Sequence, residues 1–194
     1  MDGAGDRGGH EAVVPLPEII YGYQRCLEEL ANRDALESIG AIAETLAEAG
    51  EVFICGNGGS AATGSHFAAD LRRAGVKATC LSDNIPIITA IANDERYEDV
   101  FSQQLQRIRS DDILVLITGS GNSPNLLKAA DVAKWAGAKR IGLLGFGGGK
   151  LRDEVNLSVV LKSRDYGEVE GVHSCLCHII PGLIKEIKGA GSKT

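Results

Sequence analysis

The sequence predicts an α/β fold, a doubly wound, five-stranded parallel sheet with helices on both faces. Two observations carry that expectation. Two short apolar runs, Val52 to Cys55 and Ile113 to Ile117, each lead into a glycine-rich loop and then into a stretch whose apolar residues recur at helical spacing. Three further strand-like runs, near 77–81, 140–145 and 157–161, bring the strands to five, alternating with helical segments. Strands apolar on both sides need cover on both sides, and helices crossing between parallel strands supply it.

The elements follow in order. A length of 194 residues suits one domain, since domains run from about 50 to 250 residues. Residues 1–14 mix Gly, Asp, Arg and Glu without periodicity and read as a flexible tail, which leaves 15–194 as the single domain. From Pro17, the residues Ile19, Ile20, Tyr23, Leu27 and Leu30 recur at helical spacing. A second helix is expected from Asp34, with Glu37 completing a capping box, as far as Gly50. The strand at Val52 runs into Gly56-Asn57-Gly58-Gly59-Ser60 and a helix over about 60–73. The same unit recurs at Ile113, passing through Thr118-Gly119-Ser120-Gly121-Asn122-Ser123 to a helix that ends near Trp135. A closing helix over about 168–188 should pack on the sheet. Gly145 to Lys150 imitates a phosphate loop, but Leu144 and Leu151 stand where a Walker A motif has Gly and Ser or Thr, so it reads as a plain turn.

Composition narrows the function. A net charge of −6 gives no broad basic field for nucleic acid or anionic lipid, and no apolar run reaches the roughly 20 residues that span a bilayer. Five cysteines, Cys26, Cys55, Cys80, Cys175 and Cys177, are scattered through apolar segments, and no apolar leader opens the chain, so a reduced, cytoplasmic protein is expected. Cys175 and Cys177, two apart on a helix, point to nearly opposite faces and do not suit a shared zinc.

Both glycine loops sit between a strand and a helix, where free amides and the positive end of the helix dipole attract an anion. The first also matches a dinucleotide fingerprint, Gly56-x-Gly58-x-x-Ala61, with Asp83 as a ribose partner, and the bland alternative is a tight turn. The second adds the hydroxyls of Thr118, Ser120 and Ser123, which suit a phosphate dianion; the competing reading is Ser123 as an N-cap before Pro124. Neither loop has the G-x-S-x-G elbow of a serine hydrolase. His66 and Asp70, four apart on the helix after the first loop, share one face and can reach one metal ion or one substrate, or else form an exposed polar stripe.

Four segments, GNGGSAATGSHFAADL at 56–71, TAIANDERYEDVF at 89–101, TGSGNSPNLLKA at 118–129 and VEGVHSCLCHII at 169–180, together resemble the sugar isomerase (SIS) domain family, in particular its sedoheptulose 7-phosphate isomerase branch. The resemblance implies a phosphorylated sugar as substrate, a homotetramer with sites between subunits, and a divalent metal, often zinc. It implies that Asn57, Gly58, Ser60, Asp94, Thr118, Ser120, Asn122 and Ser123 bind substrate. It places catalysis on Asp70 and His178, and metal binding on His66, Asp70, Glu170 and His178. Two positions depart from the family pattern, Asp70 where it has glutamate and Glu170 where it has glutamine.

The implied reaction, ketose–aldose isomerisation through an enediolate, needs a base and an acid or metal near the reacting carbons. If their segment is helical, Glu170 and His178 stand about 12 Å apart along its axis, too far to share one ion, which points to sites composed across a subunit interface. Seven carbons are the first expectation for the substrate, with eight admissible given Asp70. The rivals are a non-catalytic SIS regulatory protein of the replication-initiator-associating type, which would lack the full acid/base set, and a nicotinamide oxidoreductase, for which no substrate domain is evident.

Overall fold

A computed structural model of the chain describes residues 15–191; the tail expected at 1–14 lies outside the described residues. The strands are β1 (Val52–Gly56), β2 (Ala78–Cys80), β3 (Ile113–Thr118), β4 (Lys139–Leu144) and β5 (Leu157–Val160). The α-helices among the described residues are α1 (Leu16–Leu30), α2 (Arg33–Ala47), α3 (Gly59–Arg73), α4 (Ile85–Asp94), α5 (Pro124–Trp135) and α6 (Tyr166–Gly191). All strand pairs are parallel, in the order β2-β1-β3-β4-β5. The five-stranded, doubly wound sheet expected from the sequence is therefore the one observed.

The central strand shows why an unbroken apolar run was needed. All six residues of β3 are buried. Ile113, Val115 and Ile117 enter the core shared with α2, α3 and α6, whereas Leu114 and Leu116 enter the one shared with α5. Side chains alternate across a strand, so a strand covered on both faces has no polar side.

The strand order also fixes where a ligand can sit. The chain leaves β1 for β2 on one flank and leaves β3 for β4 on the other, so the loops after β1 and β3 diverge. At such a switch point a crevice opens beyond the carboxyl ends of the strands. Both glycine loops lie there.

Three local expectations are corrected. The cap of α2 is Asn32, whose side chain accepts from the Ala35 amide, and Glu37 pairs with Arg33 at 2.7 Å in place of the capping box at Asp34. Helix α4, absent from the sequence reading, is capped by Asn84 and has Pro86 in its first turn. Residues 145–150 are more than a plain turn: Phe146, Gly147, Gly148 and Gly149 all have positive φ, between 52° and 97°. The Leu151 amide donates to the Gly121 carbonyl at 3.0 Å, and the Lys150 amide to Asn122 Oδ1 at 3.1 Å. A β-carbon on Gly121, itself at φ 65°, would collide with the Gly148 carbonyl. The segment is a buttress under the second glycine loop, which only glycine lets approach so closely.

Candidate active site

The two loops close on a cavity of ≈ 160 Å³ lined by Asn57, Ser60, Ile117, Thr118, Gly119, Ser120, Ser123, Tyr166 and Glu170. Five of the eight residues expected to bind substrate line it: Asn57, Ser60, Thr118, Ser120 and Ser123. Gly58 turns the chain into α3 at φ 57°. The Ser60, Ala61 and Ala62 amides fold back on the Asn57 and Gly58 carbonyls, so the end of α3 offers an anion its dipole and the amides of Gly58 and Gly59. Thr118 and Ser120 accept the amides of Gly121 (3.2 Å) and Asn122 (3.3 Å) through their hydroxyl oxygens, and each keeps its own O–H to donate.

Ser123 occupies the N-cap position of α5, yet its hydroxyl makes no capping bond and is left for a ligand. Asn122 instead ties the loop, donating to the Ser120 carbonyl at 2.8 Å and accepting from Lys150. Asp94, the last residue of α4, accepts from the neighbouring Asn93 and does not line the cavity. A larger cleft, ≈ 650 Å³ between the α1–α2 turn and β5, holds none of the expected site residues.

Beyond the cavity, His66, Asp70 and His178 come together. Asp70 Oδ2 lies 3.3 Å from His66 Nε2 and 3.1 Å from His178 Nδ1, and the two imidazoles meet edge to face with centroids 4.8 Å apart. Helical spacing brings the first pair onto one face, and α6, packed on α3, supplies the third member. The His66 and His178 side chains are 52% and 62% exposed and Asp70 is 21% exposed, so the group faces solvent. The donor atoms all lie within 4.8 Å of one another. Ligands of a tetrahedral zinc stand about 3.4 Å apart, so this set of two imidazoles and a carboxylate fits a divalent ion.

Glu170, expected with these three, is not among them in this chain. A β-carbon on Gly59 would run into its carboxylate, and Glu170 lines the cavity between the two glycine loops. The reason is the shared direction of α3 and α6: Glu170 lies beside Gly59, and His178, about 12 Å further along its helix, lies beside Asp70.

Sequence reasoning missed four residues around the site. Tyr166, the first residue of α6, walls the cavity and stacks edge to face on Phe146 at 4.7 Å. Asn125 and Tyr97 both hydrogen-bond to Asn57. His173, on α6 between Glu170 and His178, is fully buried, and neither ring nitrogen has a hydrogen-bond partner among the described residues. Burial pushes its pKa down to about 4, against a smaller opposing pull from the Leu144 backbone. The Asn84 cap of α4 was a readable signal; the contacts of Asn125 and Tyr97 and the burial of His173 were not.

Comparison with known proteins identifies the family. The SIS domain model matches residues 23–145. A phosphoheptose isomerase of Helicobacter pylori is 38% identical over 177 residues, covering 81% of this chain and 92% of the relative. One from Chlorobaculum parvum is 36% identical, covering 97% and 95%. The structure of a phosphoheptose isomerase from Neisseria gonorrhoeae superposes with a TM-score of 0.80 at 30% identity, covering 88% of this chain and 95% of that one. The SIS model spans more than half of the chain and the relatives cover most of it, so this chain belongs to the SIS domain family.

Proposed function

We propose that the protein is a ketose–aldose isomerase of a long-chain sugar phosphate, with seven carbons the first expectation and eight admissible. That it is a sugar-phosphate isomerase rests on its family and on the phosphoheptose isomerases that resemble it over most of their length. One observation carries the finer reading, namely a phosphate cavity and a histidine–carboxylate group set at the two ends of α3. From Ser60 to His66 and Asp70 the helix advances about 9 and 15 Å. An extended chain gains about 1.2 Å per bond, so the eight bonds from C1 to phosphorus of a seven-carbon sugar 7-phosphate cover about 10 Å. A phosphate held at the amino end of α3 puts the carbonyl end level with His66, whose ring stands 3.3 Å from the Asp70 carboxylate that also meets His178.

The roles follow from the chemistry. His178, one ring nitrogen against Asp70, has the other free to take the proton from C1 of the ketose and return it at C2. Asp70 orients that imidazole and serves the proton transfer between the two oxygens. A divalent ion, zinc in the first instance, held by His66 and Asp70 would supply positive charge for the oxygen that becomes an oxyanion; His178, the third donor of the group, could join as a ligand only when it is not the base, because a metal-bound neutral imidazole carries its proton on the other nitrogen. The cavity is large enough for a phosphoryl group and too small for the whole sugar, so the remaining carbons lie along α3 in the open, where a second copy of the chain would cover them.

Exposed Leu16, Ile19, Ile20 and Leu27 on α1, with Ile179, Leu183 and Ile187 on α6, favour a homo-oligomer, a tetramer by family resemblance. Five free thiols suit the reducing cytoplasm. Native mass measurement with elemental analysis reads the metal and the assembly, and a fully active, metal-free monomer contradicts both. The catalytic roles are tested by His178→Gln and Asp70→Asn. Each should lower turnover by about a hundredfold or more with the melting temperature kept, and near-normal turnover in either removes that residue from the chemistry.

A further inference from the structure

We propose that Asn125 and Tyr97 are positioning residues that hold Asn57, and with it the first glycine loop, in the orientation that presents one amide N–H to the bound phosphate sugar. The inference rests on the sugar-phosphate reading of the cavity. Asn57 and Asn125 exchange side-chain hydrogen bonds: Nδ2 of Asn57 donates to Oδ1 of Asn125 at 3.0 Å, and Nδ2 of Asn125 donates to Oδ1 of Asn57 at 2.9 Å. The Tyr97 hydroxyl donates to the same Asn57 Oδ1 at 2.9 Å. An asparagine side chain has two acceptor sites and two N–H donors. Both acceptor sites of Asn57 are thus filled and one donor is used, so a single N–H is left in a residue that lines the cavity.

The arrangement resists being turned over. Neither amide of the pair can flip alone without setting two donors and two acceptors face to face. Asn125 is 2% exposed, so water cannot replace a lost partner, and an unpaired buried amide is costly. The pair therefore ties the loop after β1 to the first turn of α5, which follows the loop after β3. Tyr97 adds a third element, the turn that follows α4. That turn is itself fixed to α5 by Asp99, 2.9 Å from the Lys128 ammonium. Three segments distant in sequence meet on one side chain, and the spacing of the two phosphate loops is set before substrate arrives.

Steady-state kinetics with a heptulose phosphate, and competitive inhibition by inorganic phosphate, test this on the intact enzyme. Asn125→Ala and the isosteric Asn125→Asp, which puts an acceptor against Asn57 Oδ1 in place of a donor, should each raise KM and the phosphate inhibition constant about tenfold or more. Tyr97→Phe, at an exposed position that leaves the buried pair intact, should raise both about threefold. The double variant Asn57→Ala/Asn125→Ala should bind no worse than Asn57→Ala alone, because the second change removes nothing once Asn57 is gone. A purely structural role would lower the melting temperature of Asn125→Ala and Asn125→Asp, leave KM and the phosphate inhibition constant of the folded variants unchanged, and add to Asn57→Ala; that pattern overturns the proposal. If Asn125→Ala does not fold, Tyr97→Phe and its cycle with Asn57→Ala carry the same decision. A wild-type protein that binds neither phosphate nor sugar phosphate defeats the sugar-phosphate reading and the proposal together, whereas normal wild-type binding with unaltered variants defeats the proposal alone.

Discussion

Glu170→Gln should tighten phosphate binding. The Glu170 carboxylate lines the same ≈ 160 Å³ cavity as the hydroxyls of Ser60, Ser120 and Ser123, so a bound phosphate and this side chain meet at close quarters. A roughly spherical space of that volume puts a central phosphorus about 5 Å from a group on the wall. Two unit charges at about 5 Å repel by about 0.8 kcal/mol at the dielectric of water, and by about 3 kcal/mol at the lower effective value typical near a protein surface. For a dianion the water value doubles to about 1.7 kcal/mol, a factor of roughly 15 in affinity, and that is the floor for a carboxylate that stays in place. The glutamine keeps the shape and can donate an N–H. Inorganic phosphate, titrated by calorimetry against both proteins at low salt, should bind the variant at least about tenfold more tightly, with the gain shrinking as salt rises. Equal or weaker binding by Glu170→Gln would refute the placement of this carboxylate at the phosphate.

Two further outcomes follow from the same geometry. Ser123→Ala should lose about 1–3 kcal/mol of phosphate binding while leaving the melting temperature unchanged, because its hydroxyl does not cap α5; lost stability with intact binding would restore the capping role. Buried His173 should make the protein acid-sensitive. Its pKa near 4 lies below the ordinary 6.5, so folding favours the neutral ring, and stability present above pH 6.5 is lost as pH falls toward 4. The interval of about 2.5 units corresponds to about 3 kcal/mol, which urea unfolding across that range should record and His173→Leu should remove; an unchanged pH slope in the variant would contradict it.

How much of this was legible depended on whether the signal was local. The strands could be read because a sheet covered on both faces leaves uninterrupted runs such as Ile113 to Ile117. The two glycine loops could be read because strand, glycine loop and helix are adjacent in the chain. Helix α4 was missed although its signal was local: Asn84 caps it ahead of Pro86, and Ile88, Ile91 and Ala92, three and four apart, pack on the core without being fully buried. The start of α2 offered both Asn32 and Asp34 as caps, and the choice fell to Asn32, with Glu37 drawn off by Arg33.

Within the site, Asp70 and His66 were paired by spacing, while the arrival of His178 beside them and the departure of Glu170 both depend on how α6 lies along α3. Tyr97 and Asn125 act through contacts 40 and 68 residues away, which no local pattern encodes. The strained Phe146, the one non-glycine residue with positive φ among those described, belongs to a segment whose role emerged only from its contact with Gly121.

The central claim, that His178 and Asp70 move a proton between adjacent carbons of a phosphorylated long-chain sugar, is tested most directly by turnover in heavy water. The enzyme is incubated with a heptulose 7-phosphate in D2O and the aldose product is analysed by NMR and mass spectrometry. The expected result is interconversion with deuterium at C2 of the aldose, complete or partial according to how fast the proton held by His178 exchanges with solvent. Absence of any interconversion across heptulose and octulose phosphates would contradict the account.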